Sequence, residues 1–139
     1  MIDWVRQRAN VTRRLTSVCS GAFILAATGL LNGRRATTHW YNCAALAAIF
    51  PEVRVEPDPI YINDGAIWTS AGVTAGIDMA ARVIERMRVE AARQALSAAR
   101  LPMKRIARDC GFGTEDTMRR SFMRVLGVTP RAYRDRFSN

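Results

Sequence analysis

The sequence predicts an α/β unit followed by an all-helical segment. Up to about residue 72, short β-branched runs alternate with helical ones, which is typical of a partly parallel sheet with helices packed on it. No Gly or Pro interrupts residues 77–101, which predicts one long helix. Shorter helical runs separated by glycine occupy the rest of the chain, so no further strand is expected there.

The elements of the α/β unit follow from local composition. Residues 1–12 are polar and are expected to be poorly ordered or to form a short helix. Strands are predicted at 15–18, 35–39, 53–55, 60–62 and 67–69, and helices at 22–31 and 41–50. Asn32-Gly33 and Pro51 follow the two helices and are expected to end them. Asp64-Gly65 lies between the last two strands and is a strong signal for a hairpin turn.

Positive charge is concentrated near the C-terminus. Residues 86–139 hold 13 of the 21 Lys+Arg residues but only five of the 12 Asp+Glu residues, hence most of the formal net charge of +9. Phosphate-binding surfaces need cations, so this distribution favours a nucleic-acid partner. The alternative is compositional, because Lys104 is the only lysine and an arginine-rich sequence is typical of a GC-rich genome.

Membrane and extracellular classes are disfavoured. The longest apolar run, residues 22–31, is far too short to span a bilayer, and residues 1–10 are too polar for a signal peptide. The three cysteines, Cys19, Cys43 and Cys110, are odd in number and form no C-x-x-C pair. A disulfide framework or a zinc site is therefore not expected, and a reducing cytoplasm is favoured. No metal or cofactor site is predicted.

Residues 101–137 have the local signals of a helix-turn-helix. One helix is predicted to begin at Pro102 and to end at Cys110-Gly111, where a tight turn needs the positive φ that glycine tolerates. Thr114 is a good N-cap for a second helix over 115–126, which Gly127 ends. A third helix is predicted over 130–137. Two short helices joined by a glycine turn can lay the second one in a major groove.

The second helix has an apolar side and a charged side. Met118, Phe122 and Val125 recur at helical spacing and are expected to face inward. Arginine pairs with guanine edges and a carboxylate accepts from the cytosine amino group, so four charged residues are predicted to reach bases: Glu115, Asp116, Arg119 and Arg120. Three arginines are predicted to contact phosphates: Arg124, Arg131 and Arg134. The alternative is a basic helical hairpin whose charged face is merely solvated.

This segment also resembles a known family. The stretch LPMKRIARDCGFGTEDTMRRSFMRVLGVTPRAYRDRF is similar to the second helix-turn-helix of the AraC/XylS family of transcriptional regulators. The resemblance rests on the order and spacing of Ile106-Ala107, Cys110-Gly111-Phe112, Phe122, Gly127-Val128-Thr129-Pro130 and Tyr133-Arg134. It implies a partner, double-stranded DNA, and a recognition helix at 115–126 with positions 115, 116 and 120 toward the bases.

A second candidate site lies at Cys19. A strand runs directly into Cys19-Ser20-Gly21 and then a helix, a sequence typical of a nucleophile elbow, in which a sharp turn exposes the side chain beside a helix N-terminus. His39, the single histidine, ends the next predicted strand. If those strands are parallel neighbours, their ends bring Cys19 and His39 together, the minimum for nucleophilic catalysis. The alternative is a packed cysteine and a structural histidine.

Two stretches around this site resemble the DJ-1/PfpI domain. SVCSGAFILAATGLLNGRRATTHW and YINDGAIWTSAGVTAGIDMAARVIE are similar to the C-terminal half of that flavodoxin-like domain, over about residues 13–85. The elbow cysteine is the reactive residue of family enzymes such as isonitrile hydratases. When fused to AraC-type units the domain resembles a sensor of a small metabolite, so the resemblance implies a pocket lined by Cys19, His39 and Gly72.

The two resemblances together predict a DNA-binding regulator that is not an enzyme. The expected organisation is an N-terminal remnant at 1–12, a partial DJ-1/PfpI-like domain at 13–85, and an AraC-type region at 86–137 with the second helix-turn-helix alone. This implies a regulator shortened at its start and internally, with an open sheet edge that favours low stability or self-association. A Cys-dependent enzyme and an inactive fragment are the alternatives. The partner acid of the cysteine has no better candidate than Asp3.

Overall fold

The chain forms two compact units, the first from Met1 to Ala80 and the second from Ala81 onward. The computed structural model describes residues 1–98 and 100–137. The first unit contains helices and small sheets and the second is helical, so the predicted fold class is confirmed. No helix within the described ranges is long and apolar enough to cross a membrane.

The first unit contains five strands and three complete helices, with the start of a fourth. The helices are α1 (Ile2–Ala9), α2 (Gly21–Ala27), α3 (Cys43–Ile49) and α4 (Val73–Ala98), which continues into the second unit. The strands are β1 (Leu15–Val18), β2 (Arg35–Ala36), β3 (Arg54–Val55), β4 (Tyr61–Asp64) and β5 (Ile67–Ser70). A short 3-10 helix, Trp40–Asn42, precedes α3, so the predicted helix at 41–50 is divided in two.

The strands form one three-stranded and one two-stranded sheet. In the first sheet the order is β1-β5-β4, with β1 parallel and β4 antiparallel to β5, while β2 and β3 pair in parallel. The hairpin predicted at Asp64-Gly65 is present, because Asp64 pairs with Ile67 at its tip. The predicted adjacency of the strands at 15–18 and 35–39 is wrong, since β5 lies beside β1 and β2 pairs with β3.

Two elements are shorter than predicted because side chains compete for backbone groups. Helix α2 ends at Ala27, where the Thr28 hydroxyl donates to the Leu25 carbonyl at 2.6 Å and Gly29 adopts a φ of 78°. The predicted strand 35–39 ends at Ala36, because the Thr37 N–H donates to the side-chain Oγ1 of Thr69 at 2.9 Å and not to a backbone carbonyl of a neighbouring strand. The predicted helix 22–31 and strand 35–39 were therefore too long.

Buried aliphatic side chains from every layer form the core of the first unit. They are Ala22, Leu25, Ala26, Leu31, Ala36, Leu46, Val53 and Ile67. Helix α1 joins this core through Val5, and the Arg6 Nε donates to the Thr28 carbonyl at 3.1 Å. Of the two expectations for residues 1–12, the short helix is the correct one.

The described part of the second unit consists of the remainder of α4 and three further helices. They are α5 (Met103–Asp109), α6 (Glu115–Leu126) and α7 (Pro130–Phe137). The predicted bounds of α6 and α7 are confirmed, while Pro102 is the residue before α5 rather than its first. Helix α4 was predicted to reach residue 101; it is described to Ala98, Ala99 lies outside the described residues, and Leu101 is outside the helix.

Candidate nucleic-acid interface

The turn between α5 and α6 orients the two helices. Gly111 has a φ of 79°, which only glycine adopts without strain, so its predicted role is confirmed. Phe112 follows with its N–H donating to the Ala107 carbonyl at 2.8 Å, and its side chain is buried. Because Phe112 packs in the same cluster as Ile106 and Phe122, it fills the corner between the helices.

Both ends of α6 are set by local signals. The Thr114 hydroxyl accepts a hydrogen bond from the Thr117 N–H at 3.2 Å, which confirms the predicted N-cap. Gly127 ends the helix with a φ of 70°, and its N–H donates to the Met123 carbonyl. Thr129 accepts from the Ala132 N–H at 3.1 Å and starts α7 in the same way. The sequence-encoded caps therefore fix which residues α6 presents.

Helix α6 is buried on one side and exposed on the other. Met118 and Phe122 are almost fully buried in the core of the second unit, and Val125 packs against it, as predicted. Phe122 meets the ring of Tyr133 edge to face, with 6.1 Å between centroids. Arg119 and Arg120 have more than half of their side-chain surface exposed. An arginine-bearing face is thus held toward solvent by a packed opposite face.

Helix α4 supplies the platform under this corner. Val89, Ala92 and Leu96 are buried at helical spacing and pack with Ile106 and Phe122. The sequence predicted this long helix but not its support of the corner, because an alanine-rich pattern does not by itself say which face is buried. Its contacts keep the exposed face of α6 in one orientation.

Three charged residues of the exposed face form one ion-pair cluster. Asp116 Oδ1 lies 2.7 Å from Arg119 Nη2, and Asp116 Oδ2 lies 3.2 Å from Arg120 Nε. The hydrogen bond from Arg119, followed by the charge of Arg120, holds the pKa of Asp116 below its ordinary value. The carboxylate therefore stays ionised through neutral pH, and both guanidinium groups are oriented by it.

The three arginines predicted to contact phosphates have different surroundings. Arg124 pairs with Glu85 of α4 at 2.9 Å, and Arg134 donates from Nη2 to the Leu101 carbonyl at 2.6 Å. Arg131 is exposed at the start of α7. In the free protein Arg124 and Arg134 are thus engaged within the unit, while Arg131 is directly available to a phosphate; the phosphate contacts themselves stay predictions.

Several of the predicted contact residues share one groove. A cavity of about 770 Å³ is lined by Glu115, Asp116 and Arg119 of α6 and by Arg131 and Arg134 of α7. Met118 and Pro130 also line it. Arg120 and Arg124 lie outside it, farther along α6. The structure therefore brings residues of both predicted classes, base and phosphate, to one concave surface.

Sequence reasoning missed two contacts that brace this region. Glu85, only 14% exposed, lies between Arg124 and Arg82, and Arg93 donates to the Tyr133 hydroxyl at 3.1 Å while its guanidinium covers that ring. Each joins residues about 40 positions apart, so no local pattern signals them. Phe137, at the end of α7, is 58% exposed and contacts Tyr133 alone among the aromatic rings of the described part.

The second candidate site, at Cys19, has the backbone of an elbow. Cys19 is the one non-glycine residue with positive φ, 53°, in the described ranges. Its N–H donates to the Ser70 carbonyl at 2.9 Å, and its carbonyl accepts from the Thr38 hydroxyl at 2.8 Å. A strained conformation held by two such bonds is often found at functional positions.

The other residues predicted for this pocket lie on adjoining segments. His39 follows Thr38, so it is near the Cys19 backbone, but its Nδ1 accepts from the Tyr41 N–H at 3.4 Å. Gly72 begins the turn into α4, where its carbonyl accepts from the Gly76 N–H at 2.7 Å. The neighbouring Ala71 N–H is taken by the Ile60 carbonyl. The pocket itself stays a prediction. Within residues 1–98 and 100–137, no three His, Cys, Asp or Glu side chains are grouped to hold a metal ion.

Cys110, in the turn after α5, is expected to react slowly. Burial raises the pKa of its thiol, and Asp109 adds to the effect. Because the thiolate is the reactive form, iodoacetamide should alkylate Cys110 more slowly in the folded chain than in urea at pH 8. Mass spectrometry of the Cys110 peptide over time measures this, with Cys110→Ser identifying the peptide. Equal rates in the two states would contradict it.

Comparison with known families identifies both parts of the chain. Residues 1–86 match the DJ-1/PfpI family. The chain belongs to that family. Residues 79–136 of this DJ-1/PfpI chain match a helix-turn-helix domain of AraC type. Both predicted resemblances are confirmed. The limits predicted as 1–12, 13–85 and 86–137 stay a prediction.

The names of individual relatives indicate either an enzyme or a transcriptional regulator. The chain is similar to isonitrile hydratase of Pseudomonas putida, 42% identical over 89 residues, covering 62% of this chain and 36% of that protein. It is also similar to the HTH-type transcriptional regulator GlxA of Rhizobium meliloti, 36% identical over 91 residues, covering 65% and 28%. An HTH-type transcriptional regulator of Mycobacterium tuberculosis is 49% identical over 57 residues, covering 41% and 22%.

A solved structure agrees with the fold. The ThiJ/PfpI family protein from Pseudomonas syringae superposes with a TM-score of 0.54 at 36% identity, over 61% of this chain and 34% of that one. The DJ-1/PfpI chain spans about a third or less of the length of these curated relatives. The activity and partners of the whole relatives are therefore a matter for proposal.

Proposed function

We propose that this DJ-1/PfpI chain is a sequence-specific DNA-binding transcriptional regulator of AraC type. The observation that carries the proposal is the exposed arginine-bearing face of α6, held outward by a helix-turn-helix corner whose other face is buried. A helix supported in this way fits the width of a major groove. The net positive charge of residues 86–139 supplies the sequence-independent attraction to phosphates.

Base and phosphate contacts are divided between two helices. Glu115, Asp116, Arg119 and Arg120 form the part of α6 that approaches base edges, and Arg131 at the start of α7 contacts a phosphate. Arg124 and Arg134 reach phosphates if their contacts with Glu85 and Leu101 rearrange on binding. A single helix-turn-helix of this kind reads only a few base pairs, so we expect weak binding by one copy.

The first unit is proposed to sense a small molecule, in the cytoplasm where the DNA lies. Support comes from the elbow at Cys19 and from the similarity to regulators such as GlxA. Cys19, His39 and Gly72 are the residues proposed to line the effector site. A second copy is a further proposed partner, because β1 is an edge strand of its sheet and Thr16 and Val18 are exposed on it.

A Cys-dependent reaction is the second candidate function. It is favoured by the positive φ of Cys19 and the 42% identity to isonitrile hydratase, but no carboxylate is bonded to His39 or Cys19 in the described hydrogen bonds. Alkylation of Cys19 as a function of pH, with Cys19→Ser as the control, separates the two. Fast alkylation at pH 6 would support the enzyme, whereas reaction only at alkaline pH supports the sensor.

Two arginine substitutions are expected to weaken DNA binding in different ways. Arg131→Ala removes one phosphate contact, so affinity should fall for every duplex. The salt slope, which is the slope of log affinity against log salt concentration, should decrease in magnitude by about 0.9. Arg120→Ala should instead reduce the preference for the best duplex by about 5- to 150-fold, since one bidentate base contact discriminates by about 1–3 kcal/mol. Fluorescence anisotropy at several salt concentrations measures both.

The matched control removes an exposed arginine of the first unit. Arg13→Ala changes the net charge by the same amount as Arg131→Ala but lies far from α6 in the sequence. It should leave the salt slope and the base preference unchanged. Absence of duplex binding by the folded chain, even at low salt, would refute the proposed function.

A further inference from the structure

We infer that Asp116 is a positioning residue, which orients Arg119 and Arg120 for DNA instead of contacting a base itself. The inference rests on the proposed DNA-binding function and deepens it. Asp116 is the second residue of α6, so positions 119 and 120 lie one turn later on the same face. One carboxylate therefore reaches two guanidinium groups at once.

Both oxygens of Asp116 are used in these contacts. Oδ1 accepts from Arg119 Nη2 at 2.7 Å, and Oδ2 lies 3.2 Å from Arg120 Nε. A carboxylate that reads cytosine directs an oxygen at an amino group across the groove. Here each oxygen is directed along the helix at an arginine of the same chain. We call this arrangement of Asp116, Arg119 and Arg120 the clamp.

The clamp leaves Arg120 with a complete edge of two N–H donors. An ion pair made through Nε leaves the Nη1–Nη2 edge of Arg120 for a second pair of acceptors, such as O6 and N7 of guanine. Arg119 is held more tightly, by a hydrogen bond of 2.7 Å through Nη2, and it is the less exposed of the two arginines. Because side-chain freedom is already reduced before DNA binds, less ordering is required on binding. Arg120 is accordingly the guanine reader, and Asp116 makes it selective.

The exposure of the cluster makes the inference testable without unfolding the chain. The three side chains are 56–64% exposed, and ion pairs at such exposure contribute little to folding stability. Asp109, at the end of α5, is similarly exposed and also pairs with two arginines, Arg105 and Arg108, but it is not among the residues proposed to contact DNA. Asp109→Ala therefore removes the same charge from a comparable cluster and serves as the matched control for Asp116→Ala.

The experiment is selection from a randomised duplex library by the full chain, followed by affinities for the selected duplexes. The proteins are the wild type, Asp116→Ala, Asp116→Glu, Asp109→Ala, Arg120→Ala and the double variant Asp116→Ala/Arg120→Ala. We expect Asp116→Ala to reduce the guanine preference by about twofold to tenfold at the position that Arg120→Ala affects. The double variant should match Arg120→Ala alone, and Asp116→Glu should retain the preference.

The opposite pattern would overturn the inference. If Asp116→Ala removes preference at a different base pair, additively with Arg120→Ala, then Asp116 contacts that base directly. Loss of the guanine preference in Asp109→Ala to the same extent would also overturn it, because the change in net charge alone would be the cause. If the folded wild type binds no duplex, the proposed function and this inference both fail. If the wild type binds duplex DNA but the effects of Asp116→Ala and Arg120→Ala are not coupled, the inference alone is refuted.

A measurement without DNA supports the same conclusion independently. The arginines hold the pKa of Asp116 below its ordinary value, so an NMR titration should show it rising toward the usual range in Arg119→Ala/Arg120→Ala. An unchanged titration in that double variant would mean that the clamp is absent in solution and would overturn the inference.

Discussion

Replacing Phe122 with alanine is expected to destabilise the helical unit by about 3–5 kcal/mol. Phe122 is fully buried at the middle of α6, and its ring packs against Tyr133 and within the cluster that joins α4, α5 and α6. Removing the ring leaves a cavity that the helices on three sides cannot fill without moving. The loss is a large fraction of the stability of a small domain.

Urea unfolding followed by far-UV circular dichroism measures this effect. Met123→Ala is the matched control, because Met123 is the next residue of α6 but is 45% exposed, and its change should be within about 0.5 kcal/mol. Since the packed face holds the arginine face outward, DNA affinity should fall with stability in Phe122→Ala. Equal stability of the two variants would show that Phe122 is not the centre of this core.

Replacing Leu46 with alanine is expected to destabilise the first unit by about 2–5 kcal/mol. Leu46 is fully buried on α3 and packs in the aliphatic cluster with Leu31 and Ala36. The small sheets of this unit depend on that cluster, because each is too narrow to be stable without a packed face.

Tryptophan fluorescence measures the unfolding of the first unit separately from that of the second. All three tryptophans, Trp4, Trp40 and Trp68, lie before residue 80, and Trp68 is buried and stacked on Tyr61. Ile49→Ala on the same helix is the control, because Ile49 is 60% exposed and should have little effect. A Leu46→Ala chain whose fluorescence transition is unshifted would contradict the predicted core.

The helix-turn-helix region was predicted well because its signals are local. Thr114 caps α6, Gly127 ends it and Pro130 starts α7, and each acts on backbone groups within four residues of itself. The inward positions of Met118 and Phe122 follow from the 3.6-residue period alone. The family resemblance at these residues was confirmed for the same reason, because it rests on the spacing of the capping and core residues.

The α/β part was predicted in composition but not in pairing. The strand at 15–18 was placed correctly, yet its partner is β5, about 50 residues later, and not the strand at 35–39. Strand neighbours are chosen by contacts between distant segments, which a linear pattern does not contain. The early end of that second strand has the same origin, because the Thr69 hydroxyl takes the Thr37 N–H.

By itself, the sequence determined the two kinds of unit, the limits of α6 and α7, and which side of α6 is apolar. Tertiary structure alone decided the strand order and the engagement of Arg124 and Arg134 by Glu85 and Leu101. The physical reason is the separation along the sequence over which each kind of interaction acts. Caps, glycine conformations and helical periodicity act over a few residues, whereas these contacts join groups about 20 to 50 residues apart.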